Sequence, residues 1–349
     1  MQKLPDFPWD LLAPYGEKAK KYPAGFIDLS QGTPVDPTPE FIQTALAKAS
    51  NSPSYPLTAG SEKLKDAIKV WSVKKLGVTG EFDVLPTIGS KELIALLPTL
   101  LQSKSVLYPK VAYPTYLVGA LMASAQAIPV DIDATSWPKA DLAWLNSPAN
   151  PTGQVQSKDE LLAAINWARK NNAILASDEC YLSFVKDAKS ILALAGGDNT
   201  GLLAVHSLSK RSNLAGYRAA FVIGDMKLID QIRQIRKHAG LMVPSPVQAA
   251  MIAALSDDDH AQEQAQRYYA RGIKLKDALI KAGFTIQHSQ AGLYIWCTKG
   301  EDGFKTVDYF ADLGILVTPG SFYGSSKFVR IALTATDENI DKAVERIAG

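Results

Sequence analysis

Leu202-Leu203-Ala204-Val205-His206-Ser207-Leu208-Ser209-Lys210-Arg211-Ser212-Asn213-Leu214-Ala215-Gly216-Tyr217-Arg218 is the stretch from which the rest of the chain can be read. Its apolar head, Leu202 to Val205, reads as a buried strand. The strand runs into hydroxyls, then a lysine, then Gly-Tyr-Arg. An amine just past a buried strand, partly shielded from water, can act as a nucleophile toward an aldehyde. Ser207, Ser209 and Arg218 are suited to a phosphate, the arginine through a bidentate, charge-assisted pair. A lone lysine in such a place reads as a solvated one. Two other strand ends argue otherwise here.

The first is Ile174-Leu175-Ala176-Ser177-Asp178-Glu179-Cys180-Tyr181. A carboxylate at the end of that run can pair with a protonated ring nitrogen and keep the ring cationic, so that it draws electrons. The second is Leu142-Ala143-Trp144-Leu145-Asn146-Ser147-Pro148-Ala149-Asn150-Pro151-Thr152-Gly153, an apolar run followed by a turn set by Pro and Gly. Asn150 and Tyr181 are each able to donate to a phenolic oxygen on the same ring. In open α/β sheets ligands bind beyond the carboxyl ends of the strands. Strand ends carrying Asn, Asp with Tyr, and Lys with Arg together make the site that pyridoxal phosphate needs.

These three motifs, in this order and spacing, resemble those of class I/II aminotransferases of fold type I. The likeness runs from Asp28-Leu29-Ser30-Gln31-Gly32-Thr33-Pro34 to Val329-Arg330-Ile331-Ala332-Leu333. More narrowly, the chain resembles the N-succinyldiaminopimelate aminotransferases of lysine biosynthesis. That likeness is carried by Phe7-Pro8-Trp9-Asp10, Gly32-Thr33-Pro34-Val35-Asp36-Pro37, Ile88-Gly89-Ser90-Lys91-Glu92-Leu93-Ile94-Ala95, Arg236-Lys237-His238-Ala239-Gly240 and Ala332-Leu333-Thr334-Ala335-Thr336-Asp337-Glu338. The resemblance implies an α/β fold with a large domain, built on a mostly parallel seven-stranded sheet covered by helices, and a small α+β domain. The implied division is 1–43 for the N-terminal arm and first part of the small domain, 44–265 for the large domain and 266–349 for the rest of the small domain.

Other positions acquire roles through the same resemblance. Gly89-Ser90-Lys91 precedes a helix-periodic stretch. By itself it is a capped helix start or a phosphate site made of backbone N–H groups at a helix N-terminus; the family pattern favours the phosphate. Tyr113, otherwise a loop tyrosine beside Pro114, resembles the aromatic that stacks on the pyridine ring. Tyr55 matches a tyrosine that reaches the phosphate from a neighbouring subunit, which implies a homodimer with shared active sites. Arg330, an arginine in an apolar strand, is either a surface residue or a buried anion binder. The resemblance assigns it the substrate α-carboxylate, a task suited to its planar fork, with Gly32 letting the backbone approach. Lys210 would hold the cofactor as a Schiff base and, once displaced by the amino donor, move the proton at the α-carbon. The substrates implied are an amino acid and a 2-oxo acid. A C–S β-lyase, or an aminotransferase of aspartate, alanine or an aromatic amino acid, would use the same motifs.

Composition narrows the field. The 349 residues are 47% hydrophobic and 21% charged, ordinary for a globular chain that buries a large core. Thirty-seven basic against 35 acidic residues give no electrostatic case for nucleic acid or a membrane surface. No apolar run approaches the ~20 residues of a membrane-spanning helix. The N-terminus carries no signal core, so the cytoplasm is expected. Cys180 and Cys297 lack metal or disulfide spacing and read as buried thiols. The four histidines are scattered, so no metal is expected. Walker A, Gly-x-Gly-x-x-Gly and His-Glu-x-x-His patterns are missing. A regulator that keeps the fold as a ligand sensor would need a DNA-binding addition, for which no helix-turn-helix pattern is found.

Strands are expected at 105–108, 127–132, 142–145, 173–177, 202–206 and 219–223, with helices at 91–101, 158–170 and 226–238. Shorter strands are expected around 293–297, 314–317 and 328–333. Asp257-Asp258-Asp259 reads as a solvated turn or helix start. Arg233, Arg236, Lys237 and His238 read as a solvated, dipole-favoured helix end, or as cations that steer a distal carboxylate.

Overall fold

The computed structural model describes residues 4–186 and 188–349. Among them lie thirteen strands. They are β1 (Ile27–Asp28), β2 (Asp83–Ile88), β3 (Ser105–Pro109), β4 (Gln126–Val130), β5 (Leu142–Asn146), β6 (Ile174–Asp178) and β7 (Leu202–Ser207). They continue as β8 (Ala219–Gly224), β9 (Thr285–Gln287), β10 (Tyr294–Thr298), β11 (Ile315–Leu316), β12 (Thr318–Pro319) and β13 (Val329–Ala332). Seven form one sheet in the order β2-β8-β7-β6-β5-β3-β4. Neighbours from β7 to β4 are parallel, whereas β8 runs antiparallel to both β7 and β2. The mostly parallel seven-stranded sheet expected from the motifs is present.

Strands β5, β7 and β8 are buried at every position. Helices cover both faces, so these strands carry no polar side and read as unbroken apolar runs. The helix Lys158–Asn171 starts at a capping box, with Ser157 and Glu160 each bonded to the other's backbone N–H, a pairing that satisfies two orphan donors. Strand β2 is missing from the expected set. Pro86 breaks its strand signature, but β2 lies at the edge of the sheet, where a proline costs no central ladder bond.

A second sheet has the order β12-β13-β10-β9, and a two-stranded pair joins β1 to β11. The pairing of Ile27 with Ile315 ties the N-terminal arm to residues nearly 290 positions later. These strands share one apolar core with the helices Asp259–Lys281, Gly303–Asp312 and Asp337–Ala348.

Register brings the separated motifs together. Asn146 pairs with Asp178, and Asp178 with Val205, so β5 and β6 end at one level and β7 runs two residues past it, to Ser207. Ile88 lies opposite Ala219. A residue that precedes β8 is therefore beside one that follows β2, which is how Arg218 comes next to Gly89.

Candidate active site

A cavity of about 340 Å³ opens beyond the carboxyl ends of β5, β6 and β7. Lys210, Asp178, Asn150, Tyr181 and Tyr113 line its interior. Ser90, Lys91, Ser207, Ser209 and Arg218 line the side next to β2 and β8, and Gly32, after β1, and Arg330, on β13 of the second sheet, close it.

Lys210 rides on a one-turn helix, Leu208–Arg211, that follows β7. Ser207 caps it, its hydroxyl accepting from the Ser209 N–H at 3.1 Å. Asp178 is 5% exposed. Its Oδ2 accepts from the Tyr116 hydroxyl at 2.8 Å and its Oδ1 from the Cys180 N–H at 3.2 Å. Burial raises its carboxyl above the ordinary value, and the hydrogen bonds from Cys180 and Tyr116 oppose the rise. A cation beside Asp178 would relieve that burial cost. Burial also pushes the Tyr181 hydroxyl well up, reinforced by the neighbouring Tyr294, so Tyr181 remains a proton donor. The two hydroxyls are 3.2 Å apart.

Asn150 is placed through its neighbour. Its N–H donates to Asn146 Oδ1 at 2.8 Å, while Asn146 Nδ2 donates to the Asp178 carbonyl at 3.0 Å. Asn150 Oδ1 accepts from Arg330 Nη1 at 2.9 Å, and Arg330 Nη2 donates to the Ser30 carbonyl at 2.6 Å. The Arg330 guanidinium lies 4.3 Å over the Tyr294 ring. Its Nε is buried without a partner. Arg330 is thus the buried alternative of the two open from sequence, with a donor left for an anion.

Glycine is required twice. A Cβ on Gly32 would fall 2.1 Å from the Tyr294 hydroxyl. Gly89 has φ +76°, and a Cβ there would fall 2.2 Å from Arg218 Nη2. Arg218 itself takes φ +56°, a left-handed conformation that costs a non-glycine residue about 1 kcal/mol or more. Its Nη1 donates to the Ala215 carbonyl at 3.0 Å, which leaves most of its fork for another acceptor. These features fit a phosphate-bearing pyridine cofactor. Hydroxyls and a guanidinium stand at one end, and a buried carboxylate short of a cation stands at the other.

Several residues that build the cavity are given no role by the sequence. Tyr294 and Tyr116 support the cavity through partners more than 60 positions away. Phe7 and Trp9 of the N-terminal arm form part of the wall, with ring centroids 5.3 Å apart. The Lys91 amine lies 5.5 Å over Phe7 and 6.0 Å over Tyr113, so its side chain as well as its backbone reaches the cavity. Cys180, expected as a buried thiol, lines the cavity half-buried, and Cys297 is in the core. Tyr55 stands apart from the cavity and is 93% exposed.

The basic cluster is corrected. Arg233 pairs with Asp83 and Asp230. Arg236 is fully buried against Glu92. Neither lines the cavity, so the solvated-end reading fails at Arg236, and neither arginine is placed to touch a carboxylate bound there.

Residues 24–347 match the family model described as aminotransferase class I and II. The chain is 48% identical to the 4-dedimethylamino-4-oxo-anhydrotetracycline transaminase of Streptomyces rimosus, over 99% of this chain and all of that protein. It is 49% identical to a probable aminotransferase of Mycobacterium tuberculosis, over 99% of this chain and 85% of that one. Among solved structures, a probable N-succinyldiaminopimelate aminotransferase from Thermus thermophilus superposes with a TM-score of 0.89 at 28% identity, covering 98% of this chain and 99% of that one.

Proposed function

Because this chain belongs to the class I and II aminotransferases, we propose that it moves an amino group between N-succinyl-LL-2,6-diaminopimelate and 2-oxoglutarate, in the diaminopimelate route to lysine. Pyridoxal phosphate is the cofactor of the family, and when bound it supplies an aldehyde that captures the donor amine and a ring that draws electrons from the α-carbon. The observation that carries the reading is the convergence of Lys210, Asp178, Asn150 and Arg330 on one cavity.

Each residue then has a physical task. Lys210 would anchor the cofactor and would take and return the α-carbon proton. Asp178 holds the ring nitrogen protonated, while Tyr116 and the Cys180 N–H fix the carboxylate. Asn150 and Tyr181 donate to the ring's phenolic oxygen. Ser90, Ser207, Ser209, Arg218 and the Lys91 backbone hold the phosphate. Arg330 orients the α-carboxylate, and Gly32 leaves room for the Tyr294 ring that backs it. Tyr113 stacks on the ring.

The narrow substrate choice draws on the Thermus structure and on the cavity's second half. Arg218 and Arg330 are its two guanidiniums, both assigned, so a distal carboxylate meets the Lys91 ammonium beside Phe7 and Trp9. Tyr55 and Leu57, 93% and 67% exposed, support a homodimer in which this loop completes a partner's phosphate site.

Arg330→Lys is expected to lower kcat/KM for the amino donor roughly 10²-fold, because a buried, hydrogen-bonded charge pair is truncated. The loss should lie mainly in KM, and steady-state kinetics with varied donor will read it. An unchanged KM removes Arg330 from the α-carboxylate.

The substrate itself is tested by a half-reaction. Purified protein loaded with cofactor is mixed with N-succinyl-LL-diaminopimelate and no acceptor. The absorbance of the lysine-linked cofactor should disappear, the amino form of the cofactor should rise, and 2-oxoglutarate should reverse both. An unchanged spectrum rejects this donor. The aromatic wall and the Streptomyces relative make a polycyclic ketone the next acceptor to try, with the cofactor first converted to its amino form by glutamate.

A further inference from the structure

Lys210 lines the active-site cavity, whereas Arg211, the next residue, lines a separate cavity with Asp257 and His260. Arg211 is 3% exposed. Its guanidinium donates to the Ala254 carbonyl at 3.1 Å and to Asp258 Oδ1, and lies 5.3 Å over the Trp71 ring. Asp258 is a hub. It also accepts from Trp71 Nε1 at 3.3 Å and pairs with Lys75 at 2.7 Å. One residue further on, the Ser212 hydroxyl meets His260 Nε2 at 2.8 Å, with His260 Nδ1 3.5 Å from Asp257. The Asp257–His260 junction, expected from sequence to be a solvated turn or helix start, does open the helix Asp259–Lys281. It also holds both residues that follow Lys210.

We propose that this junction is a positioning clamp, with Arg211 acting through Asp258 and the Ala254 carbonyl to fix the angle at which Lys210 enters the active site. A four-residue helix cannot hold itself, because nucleating one turn is unfavourable. Ser207 caps its front, and the clamp supplies the back. A buried guanidinium is a costly way to fill a core, and well-packed apolar residues often do so with equal or greater stability. What the arginine adds is direction, through two hydrogen bonds and an aromatic face. The proposal rests on the reading of Lys210 as the residue that anchors the cofactor and moves the proton.

The test uses the full chain with Arg211→Met, Arg211→Lys and Asp258→Asn. Two readouts are taken. One is steady-state kinetics of the loaded enzyme. The other is the rate at which the apoprotein captures pyridoxal phosphate, measured by borohydride reduction and the mass of the Lys210 peptide. Arg211→Met is expected to lower both kcat and the capture rate about 10- to 100-fold, the scale of a misplacement near 1 Å, with a smaller change in KM. Arg211→Lys should recover part of the loss. Asp258→Asn removes the charge but keeps an acceptor for Arg211, so it should act in the same direction more weakly, and combining it with Arg211→Met should add little, because without the arginine its partner's charge no longer matters to Lys210. A folded Arg211→Met protein with wild-type capture and kcat overturns the clamp. If that variant does not fold, a wild-type capture rate in Asp258→Asn overturns it instead. Wild-type protein labelled at a lysine other than Lys210 overturns the underlying reading as well, and the position of the label separates the two failures.

Discussion

Replacing Lys210 with alanine is expected to lower the transamination rate by about 10⁴-fold or more, the upper range for a positioned acid–base group. The variant loses the covalent anchor and the base together. It should still bind pyridoxal phosphate, because the residues proposed to hold the phosphate and ring line the cavity from other elements: Ser90 after β2, Asp178 at the end of β6, Asn150 after β5 and Arg218 before β8. Fold should be retained, since Lys210 is half-buried at a cavity wall and removing it opens no core. Rapid mixing with donor measures the rate, and an absorbance titration measures bound cofactor. Wild-type turnover would take Lys210 out of the mechanism. Loss of cofactor binding along with activity would show that the anchor dominates affinity and the other contacts do not.

Asp178→Asn is expected to cost about 10²- to 10³-fold in rate, the scale of removing one partner from a buried ionic pair. Asparagine keeps the size and the hydrogen bond from Tyr116 but supplies no charge to keep the ring nitrogen protonated. The same residue governs a pH effect in the apoprotein. Burial raises the Asp178 carboxyl, so the folded chain holds this proton more tightly than the unfolded chain does. Apoprotein stability therefore falls as pH rises through the window from the ordinary carboxylate value to the raised one. Asn at 178 removes that contribution, so the variant apoprotein should be no less stable than wild type at neutral pH while the loaded enzyme is slower. Thermal unfolding of both apoproteins across acidic to neutral pH measures the first, and donor kinetics the second. A variant at full rate strikes Asp178 from its role.

What could be read along the chain was the chemistry at strand ends. Lys210, Asp178 and Asn150 each follow an apolar run, and a short run bounded by turn residues announces both the strand and the level at which it stops. The antiparallel edge was less legible, because Pro86 interrupts β2 and its pairing with β8 joins residues more than a hundred positions apart. Supporting side chains were beyond local reading. Tyr294 meets Tyr181 across 113 positions and Arg211 meets Asp258 across 47, and no periodicity encodes such pairs. Arg236 shows the same gap from the other side. A basic helix end normally faces water, and only the fold reveals that Arg236 turns inward to a half-buried Glu92.

The interlock of Gly89 with Arg218 has a consequence for descent and for engineering. A side chain at 89 would have to take up φ +76° and push the arginine fork aside, so the fork keeps its place only while residue 89 is glycine. Lineages that keep the arginine should keep the glycine, whereas loss of the arginine alone leaves the glycine in place, because its backbone conformation still favours it. A designer grafting the turn after β2 onto another scaffold must carry the residue before β8 with it, or the borrowed loop will arrive without the group around which it was shaped.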